Sequence, residues 1–243
     1  MILFKYFSII QHIFYGFYVV IVRFRLSNPF QREAIIQQWS LQLLKVLDVT
    51  LEVRGDSLPH DRGVLYVCNH ISWLDIHVIN AWRPMRFVAK KEVGEWPVFG
   101  WFAKQLNTLF IDRQMRGDSF NISSQMAKGL SQQDRICIFP EGTSSDGEIV
   151  LPFKPNLFQS AIEARTACQP ISIRYESLLT GQLSKAPAFI GDMGLIESIV
   201  NTVRARPLKV IITIAPICQT VSDRKAMSLE AWNNINTSRL TIN

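Results

Sequence analysis

Closely spaced cysteines are missing from this chain. Its four, Cys68, Cys137, Cys168 and Cys218, stand far apart and form no C-x-x-C pair. Zinc is therefore not expected, because four-ligand sites usually draw on paired close spacings. Three of the four lie in apolar, strand-like runs and read as reduced, buried thiols of a cytosol-facing domain. Acidic residues are absent as far as Arg32, a stretch that holds Lys5, Arg23, Arg25 and Arg32. No Lys/Arg run is interleaved with aromatics, which argues against a nucleic-acid partner. Internal repeats are absent too.

What is present is a large apolar fraction and a basic surplus. The 243 residues are 48% hydrophobic, with a formal net charge of +6. The sequence pI is near 9.3 and the mean hydropathy +0.11. Such a chain can build one sizeable α/β core with a small appendage. The charge suits an anionic membrane or phosphate-bearing substrates.

The appendage is N-terminal. From Tyr6 to Val22 there is no formal charge. As a helix this stretch spans roughly 25 Å, short of a hydrocarbon core of about 30 Å. Lys5, Ser8, Gln11/His12 and Tyr15 make one polar stripe. A stripe favours a helix lying in the interface, or packed on a partner helix, over one surrounded by lipid. A signal peptide is the other reading; it lacks a small-residue cleavage site before Arg23, and Gln11-His12 interrupts its apolar run. The basic bias suits the anionic cytoplasmic leaflet. Ser27-Asn28-Pro29 breaks the pattern and caps a second helix over residues 30–47. Residues 1–48 are thus expected to form a two-helix membrane-anchoring hairpin, and residues 49–243 an α/β domain.

Within that domain, apolar runs predict strands at 49–54, 64–68, 86–89, 108–111, 135–139, 170–175, 186–190 and 208–215. Helices are expected after Ser72, from Trp96, and over 115–130, 157–167 and 195–203. The alternation predicts a mainly parallel mixed sheet flanked by helices. The polar tail after Ser222 is expected to end in disorder.

Three blocks carry candidate chemistry. The first is Asn69-His70-Ile71-Ser72-Trp73-Leu74-Asp75-Ile76-His77. His70 leaves a strand, and Ser72-x-x-Asp75 resembles a capping box with Ser72 at the N-cap. One tight bend then separates an imidazole from a carboxylate. If they meet, the carboxylate holds one ring nitrogen and the other can take a proton. The plainer alternative makes Asp75 a cap and dipole residue and His70 a loop residue. A Cys68 thiol activated by His70 is disfavoured, since an apolar strand keeps a thiol inert. His70, Asp75 and His77 could share a metal only on a common face, and Asp75 falls off it; no metal is expected.

The second block is Lys90-Lys91-Glu92, then Pro97, Gly100 and Ile111-Asp112-Arg113. Arg113 can grip two phosphate oxygens or pair with Asp112 or Asp118. The third is Phe139-Pro140-Glu141-Gly142-Thr143-Ser144-Ser145, followed by Lys154. Its turn can present backbone N–H groups beside Thr143, or be a strand-to-loop turn in which Glu141 is a structural hydrogen-bonder.

Together the blocks resemble the glycerolipid acyltransferase family typified by bacterial lysophosphatidic acid acyltransferases. The N-H-x-x-x-x-D and F-P-E-G-T patterns stand in the family's order, and the resemblance spans roughly residues 51–215. It implies that His70 is a general base oriented by Asp75. It places Arg113, Glu141, Gly142 and Thr143 at the acceptor site. It implies acyl transfer from acyl-CoA or acyl carrier protein to the free hydroxyl of 1-acyl-glycerol-3-phosphate, giving phosphatidic acid. No acyl-enzyme and no bound cofactor are implied. Membrane lipids are the expected partners, at the cytoplasmic face of a bacterial inner membrane. One position departs from the pattern: Ser144 stands where the family usually has arginine. Lys154 is the candidate replacement cation, and a lyso-ornithine lipid the alternative acceptor. Two other readings compete. A lipid-binding, membrane-tethered protein has no use for His70 and Asp75 together. A hydrolase would cleave without acceptor dependence.

Overall fold

The apolar runs pair into a seven-stranded sheet. Its strands are β1 (Val49–Arg54), β2 (Leu65–Cys68), β3 (Arg86–Lys90), β4 (Leu109–Ile111), β5 (Ile136–Ile138), β6 (Cys168–Ser177) and β7 (Leu208–Ile214). The order is β1-β7-β6-β2-β5-β3-β4. Every neighbouring pair is parallel except β6 with β7. The computed structural model describes residues 2–56, 58, 62–112, 114–115, 117–220 and 222–240.

Helices cover both faces, which is why central β2 is apolar throughout and buried at each residue. Tyr66 and Cys68 point into one core, with residues of α2 (Pro29–Val46), α3 (Leu74–Trp82) and α7 (Leu195–Arg204). Leu65 and Val67 point into the other, with α5 (Asp118–Ser131), α6 (Gln159–Ala164) and α8 (Arg224–Leu240). A short α4 (Phe99–Gln105) lies between β3 and β4.

Ahead of the sheet, α1 (Ile2–Tyr18) runs on through a π turn, Val19–Arg23, and a 3-10 turn, Phe24–Leu26. Asn28 then caps α2: it accepts from the Gln31 N–H and its own N–H donates to the Gln31 side chain. This reciprocal pair, with Pro29 in the first turn, fixes where the helix begins. One face of the α1 segment is buried through Ile9, Val19, Val20 and Phe24. The opposite face leaves Phe4, Phe7, Phe14 and Ile21 exposed. Among the described residues, Phe4–Leu26 is the one helix long and apolar enough to cross a membrane. The second helix is more polar and packs on α3, over the same core as the sheet.

The structure corrects several expected elements. Residues 186–190 form no strand; Pro187 has no N–H for a ladder, and Phe189 instead donates its N–H to Ile71 O at 2.9 Å. The polar tail is a helix, α8, as far as Leu240; its end, residues 241–243, where disorder is expected, lies outside the described residues. Asp223 accepts the N–H groups of Lys225 and Ala226 at its start. Met227, Ala231 and Ile235, four apart, bury one narrow stripe. That stripe is easily missed in a segment of mostly polar composition. The helix expected from residue 115 begins at Asp118, because Gly117 before it is left-handed (φ 92°).

Candidate active site

Parallel β2 and β5 end on the same side of the sheet, so the first and third blocks leave adjacent strand ends. Past Cys68 the chain departs from the ladder, and the Asn69 amide replaces it. Asn69 Nδ2 donates to Ile173 O at 3.0 Å, and Ile173 N–H donates to Asn69 Oδ1 at 2.7 Å. A side chain thus mimics one more residue of strand pairing and ties the bend to β6.

The block-three turn holds the backbone of His70 from both sides. Glu141 Oε1 accepts the His70 N–H at 2.6 Å, and Ser145 N–H donates to His70 O at 2.9 Å. Glu141 Oε2 accepts the Leu151 N–H at 2.8 Å. Both oxygens of Glu141 are therefore spent on backbone, and the residue is buried. Burial pushes its carboxyl up to about 7, against the pull of those two N–H groups.

Side chains complete the bend. His70 Nδ1 and Asp75 Oδ2 are 2.8 Å apart. The same oxygen accepts Ile71 N–H at 2.7 Å and Ser72 N–H at 2.9 Å. Asp75 Oδ1 accepts the Tyr175 hydroxyl at 2.8 Å. Ser72 Oγ accepts the Leu74 N–H, and α3 starts at Leu74 rather than directly after Ser72. The His70 ring stacks on Phe139, centroids 4.2 Å apart. Its Nε2 has no hydrogen-bond partner among the described residues, and the side chain is 23% exposed. One nitrogen is anchored and the other is open, the arrangement a general base requires.

The remaining candidates lie around this centre. Gly142 and Lys154 line a cavity of about 260 Å³ with Asp112, Ser119 and Pro140. Lys154 is exposed; its N–H donates to Pro140 O at 2.9 Å, and its ammonium makes no ion pair among the described residues. Thr143 is exposed. Arg113 lies outside the described residues. Of its two expected ion-pair partners, Asp112 binds Lys91 at 3.1 Å and Asp118 accepts the Asp112 N–H. Ser144 Oγ donates to Phe189 O, and Asp146 pairs with Lys185 at 2.9 Å.

Cys68 is fully buried, and burial pushes its thiol well above the usual range, which removes it as a nucleophile. His77 packs against Trp39 and Trp73, and burial lowers its imidazole to about 4. No group of three metal-ligating side chains occurs among the described residues. A second, apolar cavity of about 160 Å³ lies between α1, α2, α3 and α4, lined by Val20, Trp39, Ile76, Phe87 and Phe102 among others. Phe87 links it to the base: it stacks on Phe139, which stacks on His70.

Residues 50–174 match the protein family described as Acyltransferase. The chain belongs to this acyltransferase family. It is 32% identical over 202 residues to a 1-acyl-sn-glycerol-3-phosphate acyltransferase of Neisseria meningitidis, covering 83% of this chain and 78% of that one. It is 35% identical over 201 residues to a lyso-ornithine lipid O-acyltransferase of Pseudomonas aeruginosa, covering 82% and 76%. The crystal structure of a 1-acyl-sn-glycerophosphate acyltransferase from Thermotoga maritima shares the fold. Its TM-score is 0.68 at 23% identity, over 100% of this chain and 95% of that one. In this acyltransferase the His70–Asp75 pair and the Glu141 turn lie at the ends of β2 and β5. Phe139 and Tyr175 had no signal in the sequence as partners of the dyad: one is the aromatic before a turn, the other sits in an apolar strand 100 residues beyond Asp75.

Proposed function

We propose that this enzyme moves a fatty acyl group from a thioester donor, acyl-CoA or acyl carrier protein, to the free hydroxyl of a lysolipid. 1-Acyl-glycerol-3-phosphate is the principal acceptor and phosphatidic acid the product. The observation that carries the reading is the 2.8 Å bond between His70 Nδ1 and Asp75, with Nε2 left open. Nε2 takes the acceptor's hydroxyl proton as its oxygen attacks the thioester carbonyl. The C–S bond breaks, and the imidazolium returns the proton to the leaving sulfur. Glu141 acts as a latch that fixes the His70 backbone, not as a group on the acceptor. Gly142, Thr143 and Lys154 form the acceptor side, and Lys154 and Arg113 supply the positive charge that pairs with the phosphate. The acyl chain occupies the apolar cavity behind Phe87.

Residues 1–48 provide membrane attachment at the cytoplasmic face for the α/β domain of residues 49–243. The exposed Phe4, Phe7, Phe14 and Ile21 make the lipid contact. The second helix seats the first on that domain.

One observation favours a lyso-ornithine lipid as the second reading. Ser144 brings no charge, and its hydroxyl is already engaged by Phe189 O. Purified enzyme, given a labelled donor and both lysolipids in parallel, separates the two. Preferential labelling of 1-acyl-glycerol-3-phosphate supports the first; labelling of lyso-ornithine lipid alone replaces it with the second.

A further inference from the structure

We infer that Tyr175 is a positioning residue for the reaction, acting through Asp75 on His70. The inference rests on the general-base reading above. Tyr175 lies on β6, fully buried, with its ring in the core that holds Tyr66, Cys68 and Leu74. Its hydroxyl donates to Asp75 Oδ1 at 2.8 Å. Ile173, two residues earlier on the same face, holds Asn69 by the paired amide bonds. One strand thus grips both ends of the catalytic bend.

The donors around Asp75 are unevenly divided. Three converge on Oδ2: His70 Nδ1 and the N–H groups of Ile71 and Ser72. Tyr175 is the one donor to Oδ1 among the described residues. Asp75 has no exposed surface, so bulk water cannot take that place. A buried carboxylate oxygen without a donor is costly, and the group turns toward whatever donors remain. Turning about χ2 would carry Oδ2 away from His70. The hydroxyl of Tyr175 holds the carboxylate plane so that Oδ2 stays on Nδ1 and Nε2 stays aimed outward. Tyr175 touches neither acceptor nor donor; its whole effect passes through Asp75.

The test is Tyr175→Phe, which keeps ring volume and deletes only the donor. Tyr66→Phe is the control. Tyr66 is another fully buried tyrosine, on β2, and its hydroxyl accepts from Arg83 at 3.3 Å. The expected result for Tyr175→Phe is a folded protein with kcat down about ten-fold for either acceptor. The KM for acceptor and for donor should stay within two-fold. Tyr66→Phe should keep near wild-type kcat. A wild-type kcat in Tyr175→Phe overturns the inference. So does a loss confined to KM, or an equal loss in Tyr66→Phe. His70→Ala runs beside them: a folded His70→Ala enzyme that still turns over sinks the general-base reading itself. An inactive His70→Ala with a fully active Tyr175→Phe sinks only the role given to Tyr175.

Discussion

The two sides of this site are built differently. On the base side, the His70 backbone, His70 Nδ1 and both carboxylate oxygens of Asp75 have partners, drawn from the chain after β2, the turn after β5 and from β6. Around the neighbouring cavity, Thr143 and Lys154 are exposed, and Lys154 is tied by its backbone N–H to Pro140 O. The bend that carries His70 is held from several sides, and under the proposed function that matters, because a displacement of about 1 Å at a base can cost two orders of magnitude in rate. Under the proposed function, head-group recognition falls to side chains on the rim, where one substitution changes charge without disturbing the core. Ser144 in place of the family's usual arginine fits that division.

Breaking the base side should have the larger effects. Asp75→Asn leaves the ring in place but supplies the wrong partner to Nδ1. Transfer should fall about 10²–10⁴-fold in kcat, with acceptor KM little changed; steady-state kinetics on both lysolipids would check it. An undiminished kcat would make Asp75 a helix cap only.

Glu141→Ala should destabilise rather than slow a folded enzyme, since it strands the N–H groups of His70 and Leu151. Each buried orphan costs about 1–3 kcal/mol, read as a lower denaturation midpoint. The wild type adds a pH signature. The carboxyl is raised from 4.5 to about 7 on folding, so the native state holds its proton more tightly across that window. This contribution to stability is full below about 4.5 and is lost as pH rises toward 7. Glu141→Gln, which cannot titrate, should flatten the midpoint-versus-pH curve there.

On the rim, Lys154→Met should raise the KM for 1-acyl-glycerol-3-phosphate about ten-fold and leave kcat nearly intact. A charge-assisted hydrogen bond is worth roughly 1.5–3 kcal/mol. The donor KM should move less. The smallest effect belongs to Ser144→Arg, which should lower that acceptor KM a few-fold and partly rescue Lys154→Met. If neither substitution moves it while lyso-ornithine lipid turns over well, the phosphate assignment fails and the contrast between the two sides sharpens further.

The same contrast explains what the sequence made legible. The dyad could be read because it is local: His70 and Asp75 sit within one bend, and strand and cap signals bracket it. Most strands could be read because the central ones are apolar runs punctuated by turns. Long-range partners could not. Nothing in the text of β6 says that Tyr175 reaches Asp75, or that Phe189 meets Ser144. The false strand over residues 186–190 and the missed helix α8 have one cause. Composition outweighed geometry: an apolar run looked paired, and a polar helix hid its stripe of Met227, Ala231 and Ile235.

The central claim is that His70 is the base for a lysolipid hydroxyl. It is tested most directly by following acyl transfer with wild-type and His70→Ala enzyme, matched for folding by circular dichroism. The labelled thioester donor and 1-acyl-glycerol-3-phosphate are supplied in excess. The account predicts labelled phosphatidic acid from the wild type, and formation at least about 10³-fold slower from His70→Ala. Product at the wild-type rate from the folded variant would contradict it.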